Sequence, residues 1–174
     1  YYDGETKSYQ NGGADYLAQS TLTYPNFDLS TLSFNYGVAN GTTLTGTFDG
    51  NTQPYKITIA DGATVTLADV IFKPVDSENT KWAGINCAGD ATIIVKDGTI
   101  NQVFGMYDEY PAIYVAGEAN NSNNNKTLTI KGGTKGTGKL TASPFDGGKD
   151  DSTGAGIGGA SHFYGQTIGS IEIQ

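Results

Sequence analysis

A unit that returns every 28 residues restricts this 174-residue chain to stacked architectures. Ile57 and Ile59 in "YKITIADGATVTL" come back as Ile85 and Cys87 in "AGINCAGDATIIV", then as Ile113 and Val115 in "PAIYVAG". A second apolar pair, Val65 and Leu67, comes back as Ile93 and Val95, and in the third copy as Leu128 and Ile130 after the insertion "EANNSNNN". A fourth copy starts near Ile157 in "GAGIGGA" and ends with Ile171 and Ile173 in "GSIEIQ". Within each copy the apolar residues alternate, the period of a half-buried strand. Turns such as "ADGA" and "AGDA" separate first and second strands, and a third short strand follows in "DVIF" and "GKLTA". Identical units stacked in order set like strands beside like strands, so parallel pairing is the simpler solution, and an antiparallel sandwich is the alternative.

The expected fold is therefore all-β: a right-handed parallel β-helix of about 28 residues per rung, four to five rungs, with a divergent N-terminal cap. The cap is placed at residues 1–28 and the helix at 29–174. "GADYLAQSTL" reads as one short helix, and "DLSTLSFNYGV" with "TLTGTF" as an irregular first rung. The last strand runs to Gln174 without a capping segment, so the expectation is that the natural chain continues or that another chain covers that edge.

Composition narrows the function. The formal charge is −8, and all ten basic residues are lysines. Nucleic-acid binding draws its affinity from basic patches and its base contacts largely from arginine, so that class is disfavoured, as is an anionic membrane surface. No run approaches the ~18 apolar residues of a membrane span. The hydrophobic share is low at 37%, yet 25 glycines point to many tight turns rather than to disorder. The Arg-free, Asn/Thr/Gly/Tyr-rich composition, and a first residue that is not methionine, suit a mature exported bacterial protein at the cell surface or outside it. Cys87 is the single cysteine and reads as a small core residue.

The phrases "ITIADGATVTLADV", "WAGINCAGDATIIVKDGT", "YPAIYV…KTLTIKG…GKLTAS" and "GAGIGG" resemble a family of bacterial cell-surface parallel β-helix proteins often labelled carbohydrate-binding or adhesin-like. The resemblance covers about residues 28–174. It implies a parallel β-helix, export and often a larger parent protein, and it carries over no catalytic residues.

The long connections, "KPVDSENTKWA" (73–83), "NQVFGMYDEYP" (101–111) and "SPFDGGKDDST" (143–153), all enter just before a first strand. Rungs in register place them on one side of the rod. That side gathers Trp82, Phe104, Tyr107, Tyr110 and Phe145 with Asp76, Glu78, Asp108, Glu109, Asp146, Asp150 and Asp151. A flat apolar platform beside hydroxyl acceptors is what a sugar needs, and Trp82, Tyr107, Asp108, Glu109, Tyr110 and Phe145 are the candidate ligand residues. The competing account packs the rings onto the rod and leaves the acids solvated. No cofactor is implied. Asp146, Asp150 and Asp151 form a lesser candidate calcium loop, without the alternating acids of an EF-hand.

Catalysis is disfavoured. Cleavage of polyuronates on such folds calls on arginine or on His/Asp sets, whereas this chain has no arginine and one histidine, His162. Lys81 and Lys149 are the lysines nearest the connections. Adjacent acids such as Asp150 and Asp151 do not supply facing carboxylates. Threonine columns at Thr64/Thr66 and Thr127/Thr129 are expected to be broken by Ile94 and Lys96 beside Thr92, which argues against a surface-binding array. Asn40, Asn120 and Asn125 head sequons that mark exposed loops. The expected function is non-catalytic binding of a polysaccharide or cell-surface glycan, and the competing one is a structural subunit stacking end to end with copies of itself.

Overall fold

The computed structural model describes residues 26–73, 81–107, 110–115, 126–145, 155–158 and 170–174. The expected helix at 13–22 lies outside them. The protein is all-β with parallel sheets. Its strands are β1 (Asn26–Asp28), β2 (Tyr36–Val38), β3 (Thr43–Asp49), β4 (Ile57–Ile59), β5 (Ala63–Lys73), β6 (Ile85–Cys87), β7 (Ala91–Val95), β8 (Ile100–Phe104), β9 (Ile113–Val115), β10 (Thr127–Gly132), β11 (Lys139–Ser143), β12 (Ile157–Gly158) and β13 (Ser170–Ile173). A 3-10 turn at Leu29–Thr31 follows β1.

Two sheets take turns along the chain. The larger runs β1-β3-β5-β7-β10-β13, with β8 and β11 beside β5, and the smaller runs β12-β9-β6-β4-β2. The 28-residue step appears directly in the pairing: Ile59 opposes Cys87, Val65 opposes Ile93, Leu67 opposes Val95 and Ile85 opposes Ile113. Beyond the insertion the register settles with Leu128 on Ala91 and Ile130 on Ile93. Leu128 and Ile130 thus sit two residues earlier in the ladder than their apolar pattern suggests. The face is preserved because a shift of two keeps side-chain parity. Upstream the step contracts, with Val38 opposite Ile59 and Leu44 opposite Leu67, and parallel pairing reaches back through Asn26–Asp28.

"DVIF" does not begin a separate strand. β5 runs unbroken for eleven residues and changes face at a bulge. Ala63, Val65 and Leu67 point inward, then Val70 and Phe72 do. The odd residue is Asp69, held at φ 58, a left-handed conformation that aspartate tolerates better than most side chains. Opposite it the register slips between Thr45 and Gly46. The third strand position then continues through β8 and β11.

The core fills the space between the sheets with Ile57, Ile59, Val65, Leu67, Phe72, Ile85, Ile93, Ile113 and Leu128, all essentially inaccessible. Its ends are closed by side chains that reach across strands. Asn40 Oδ1 accepts from the Thr64 N–H at 2.8 Å, Asp61 Oδ1 from Asp90 N–H at 2.8 Å, and Asp90 Oδ1 from Thr127 N–H at 2.7 Å. A Cβ at Gly89 would collide with the Asp61 carboxylate, which is why that turn reads "AGD". On the neighbouring turn the N–H groups of Lys135 and Thr137, with the Thr134 and Thr137 hydroxyls, hold the Asp97 carboxyl below its usual range.

Thr42 breaks the pattern. It is fully buried and its hydroxyl meets no partner. An unsatisfied buried hydroxyl costs roughly 1–3 kcal/mol, so Thr42→Val, which keeps the shape, is expected to raise stability by about 1 kcal/mol in urea unfolding.

Cys87 is buried, and desolvation pushes its thiol from 9.0 up to about 12. The thiolate is the reactive form, so thiol reagents are expected to label native protein only as fast as it unfolds. Because the folded value lies above the unfolded one, the stability from keeping this thiol neutral is complete below pH 9.0 and is lost as pH climbs toward about 12. Cys87→Val should remove that part of the alkaline loss.

Candidate functional site

The three long connections do converge. They join the ends of β5, β8 and β11 to β6, β9 and β12, always from the larger sheet to the smaller. Backbone bonds tie each to the next: Met106 N–H donates to Trp82 O at 3.2 Å, and Gly105 N–H donates to Ser143 O at 3.1 Å. The approach is too close for side chains. A Cβ on Gly84 would strike the carbonyls of Phe104 and Ala112, and one on Gly105 would strike the Tyr110 carbonyl. The second connection is shorter than its sequence suggests, because Asn101–Phe104 belong to β8.

On this backbone Trp82, Phe104, Tyr107, Tyr110 and Phe145 are each half-exposed. Tyr110 N–H donates to Tyr107 O at 3.2 Å, closing a turn that sets the two rings edge to face with centroids 6.5 Å apart. Lys81 Nζ lies 5.3 Å from the centre of the Tyr107 ring, within the range of a cation–π contact. Lys81, one of the two lysines weighed above as a base, therefore sits over an aromatic face. Beneath the cluster, Met106 and Ala112 are fully buried and anchor the second connection to the core.

Trp82 packs part of its ring against the core, and its indole Nε1 is buried without a partner. The ring therefore presents carbon surface outward rather than its N–H. Of the candidate ligand residues, Trp82, Tyr107, Tyr110 and Phe145 come together on this side. Asp108 and Glu109 lie outside the described residues, as do Asp76, Glu78, Lys149, His162 and the candidate calcium loop Asp146, Asp150 and Asp151. Among the described residues of these connections Lys81 is the one charged side chain, and among the described residues as a whole no cluster of three or more His, Cys, Asp or Glu is poised for a metal ion. No described helix is long and apolar enough to cross a membrane.

The sequence reading missed Met106 and the two close-packed glycines. "AG" and "FG" directly before or after apolar strands were the available signal. A separate cleft of about 300 Å³ lies on the turn side, lined by Gly37, Ala39, Asn40, Ala60, Asp61, Gly62 and Ala63. Its two polar side chains are already engaged in the strand caps.

Comparison with known proteins found no matching family model, no matching curated sequence and no matching solved structure.

Proposed function

We propose that this chain is an exported bacterial surface module, a right-handed parallel β-helix of about 28 residues per rung, that binds a polysaccharide or cell-surface glycan without cleaving it. One observation carries the reading: Trp82, Tyr107, Tyr110 and Phe145 come from three separate connections, gather on one side, and keep part of each ring in solvent. Packing alone would favour closing those rings off. Half-exposed carbon faces beside phenolic hydroxyls suit the C–H surface and hydroxyls of a sugar ring. The non-catalytic part rests on the missing arginine and the single histidine.

Trp82→Ala is expected to weaken glycan binding at least about tenfold, the effect of about 1.4 kcal/mol of lost contact. Trp82→Phe is expected to keep most of it, since the indole N–H faces inward. Calorimetry or a glycan array reads both. Equal losses in the two variants would mean that the N–H, not the ring face, meets the ligand. Release of reducing ends or unsaturated uronates from a bound polysaccharide would overturn the non-catalytic reading.

A further inference from the structure

The last strand of the larger sheet presents core residues to solvent. Ile171 opposes Leu128 and Ile173 opposes Ile130, so both stand in columns whose other members are buried. Yet Ile171 is 37% exposed and Ile173 is 78% exposed. β13 has one neighbour, β10, and its other edge carries no strand among the described residues. At the opposite end of the same ladder stands β1, likewise paired on one side only. Both strands run parallel to everything between them.

The two ends also differ in charge. Residues 26–50 carry Asp28 and Asp49 and no lysine. Residues 126–145 carry Lys126, Lys131, Lys135 and Lys139 and no acid. Complementary potentials of this kind steer association and fix orientation.

We infer that the β13 edge seats the β1 end of a second copy of this chain, so that copies stack head to tail along the ladder. A copy displaced along the ladder offers β13 a parallel strand, covers Ile171 and Ile173, and brings an acidic end onto a lysine-rich one. Such a contact is heterologous and does not close, so it yields an open series of oligomers rather than a dimer. It is independent of the glycan reading, because the aromatic connections lie along the side of the stack.

Sedimentation of the full 174-residue chain over a range of concentrations tests this. The expected result is an average mass that rises continuously with concentration, falls back in high salt, and stays at monomer for Ile173→Lys. A lysine on an edge strand blocks strand addition, and at a position this exposed it leaves the monomer fold intact, which circular dichroism checks. Trp82→Ala should assemble like wild type. A monomer at every concentration, a closed dimer, or association unchanged by Ile173→Lys would each overturn the inference.

Discussion

Asn101→Leu is expected to destabilise the protein by roughly 2–4 kcal/mol, although it exchanges a polar residue for an apolar one of similar size in a fully buried position. Asn101 joins three strands. Its Oδ1 accepts from Val70 N–H on β5 at 3.0 Å, and its Nδ2 donates to Lys139 O on β11 at 3.2 Å and to Thr99 Oγ1 at 3.0 Å. It stands where the Asp69 bulge interrupts the ladder, so the backbone groups that it satisfies lack a regular strand partner. Leucine would leave a donor and an acceptor buried and unpaired, which outweighs its gain in apolar burial. Urea unfolding reads the loss as a lower midpoint at unchanged slope. Gln102→Leu, on the exposed face of the same strand, should change stability by less than about 0.5 kcal/mol. Similar small effects at both positions would contradict the bridging role.

Gln53→Glu is expected to cost about 3 kcal/mol or more at neutral pH, and to recover part of that loss in acid. The Gln53 amide is buried at the start of the fold. Its Nε2 donates to the carbonyls of Leu29, Ser30 and Leu32 at 3.0, 3.1 and 2.9 Å, and its Oε1 accepts from Asp49 N–H at 3.0 Å. This one side chain fastens the 3-10 turn to the hairpin-like turn after β3. A carboxylate there would face three carbonyl oxygens away from water, and its folded pKa would rise above the unfolded value. The sign follows: the variant is penalised above that folded pKa, and the penalty shrinks as pH falls through it, because the protonated acid can donate again. A variant whose deficit is the same at pH 4 and pH 8 would show that the amide donors are not what matters.

What the sequence made legible was the inward side of the strands. Apolar residues at a 28-residue step cannot be satisfied by many folds, and Ile85 opposite Ile113 follows from that step alone. The gathering of Trp82, Tyr107, Tyr110 and Phe145 was readable for the same reason, since in-register strands force matching connections to one side. The misses have a common cause. Leu128 was set two positions away from its true neighbour because alternating Leu and Ile look the same after an insertion. The bulge at Asp69 was hidden inside a run that merely changes parity, although inward Leu67 followed by inward Val70 was the clue. Ile100 points outward at 57% exposure while Asn101 points in, the reverse of what hydropathy predicts. Gln53, Asn86 and Asn101 are buried because backbone groups at turns and bulges need partners, a demand set by three-dimensional closure that no local pattern announces.

The central functional claim is that three connections far apart in the chain make one glycan-facing surface, and Trp82 allows a direct reading of it. It is the only tryptophan, so the emission of the protein above the tyrosine range comes from this site alone. Titration with a panel of soluble glycans is predicted to give a saturable shift in Trp82 emission for at least one class. The same titration should fail in Tyr107→Ala and Tyr110→Ala, which alter a different connection and leave the parallel core unchanged. Binding of a glycan with Trp82 emission unmoved, or a Trp82 response that survives both tyrosine changes, would contradict the claim.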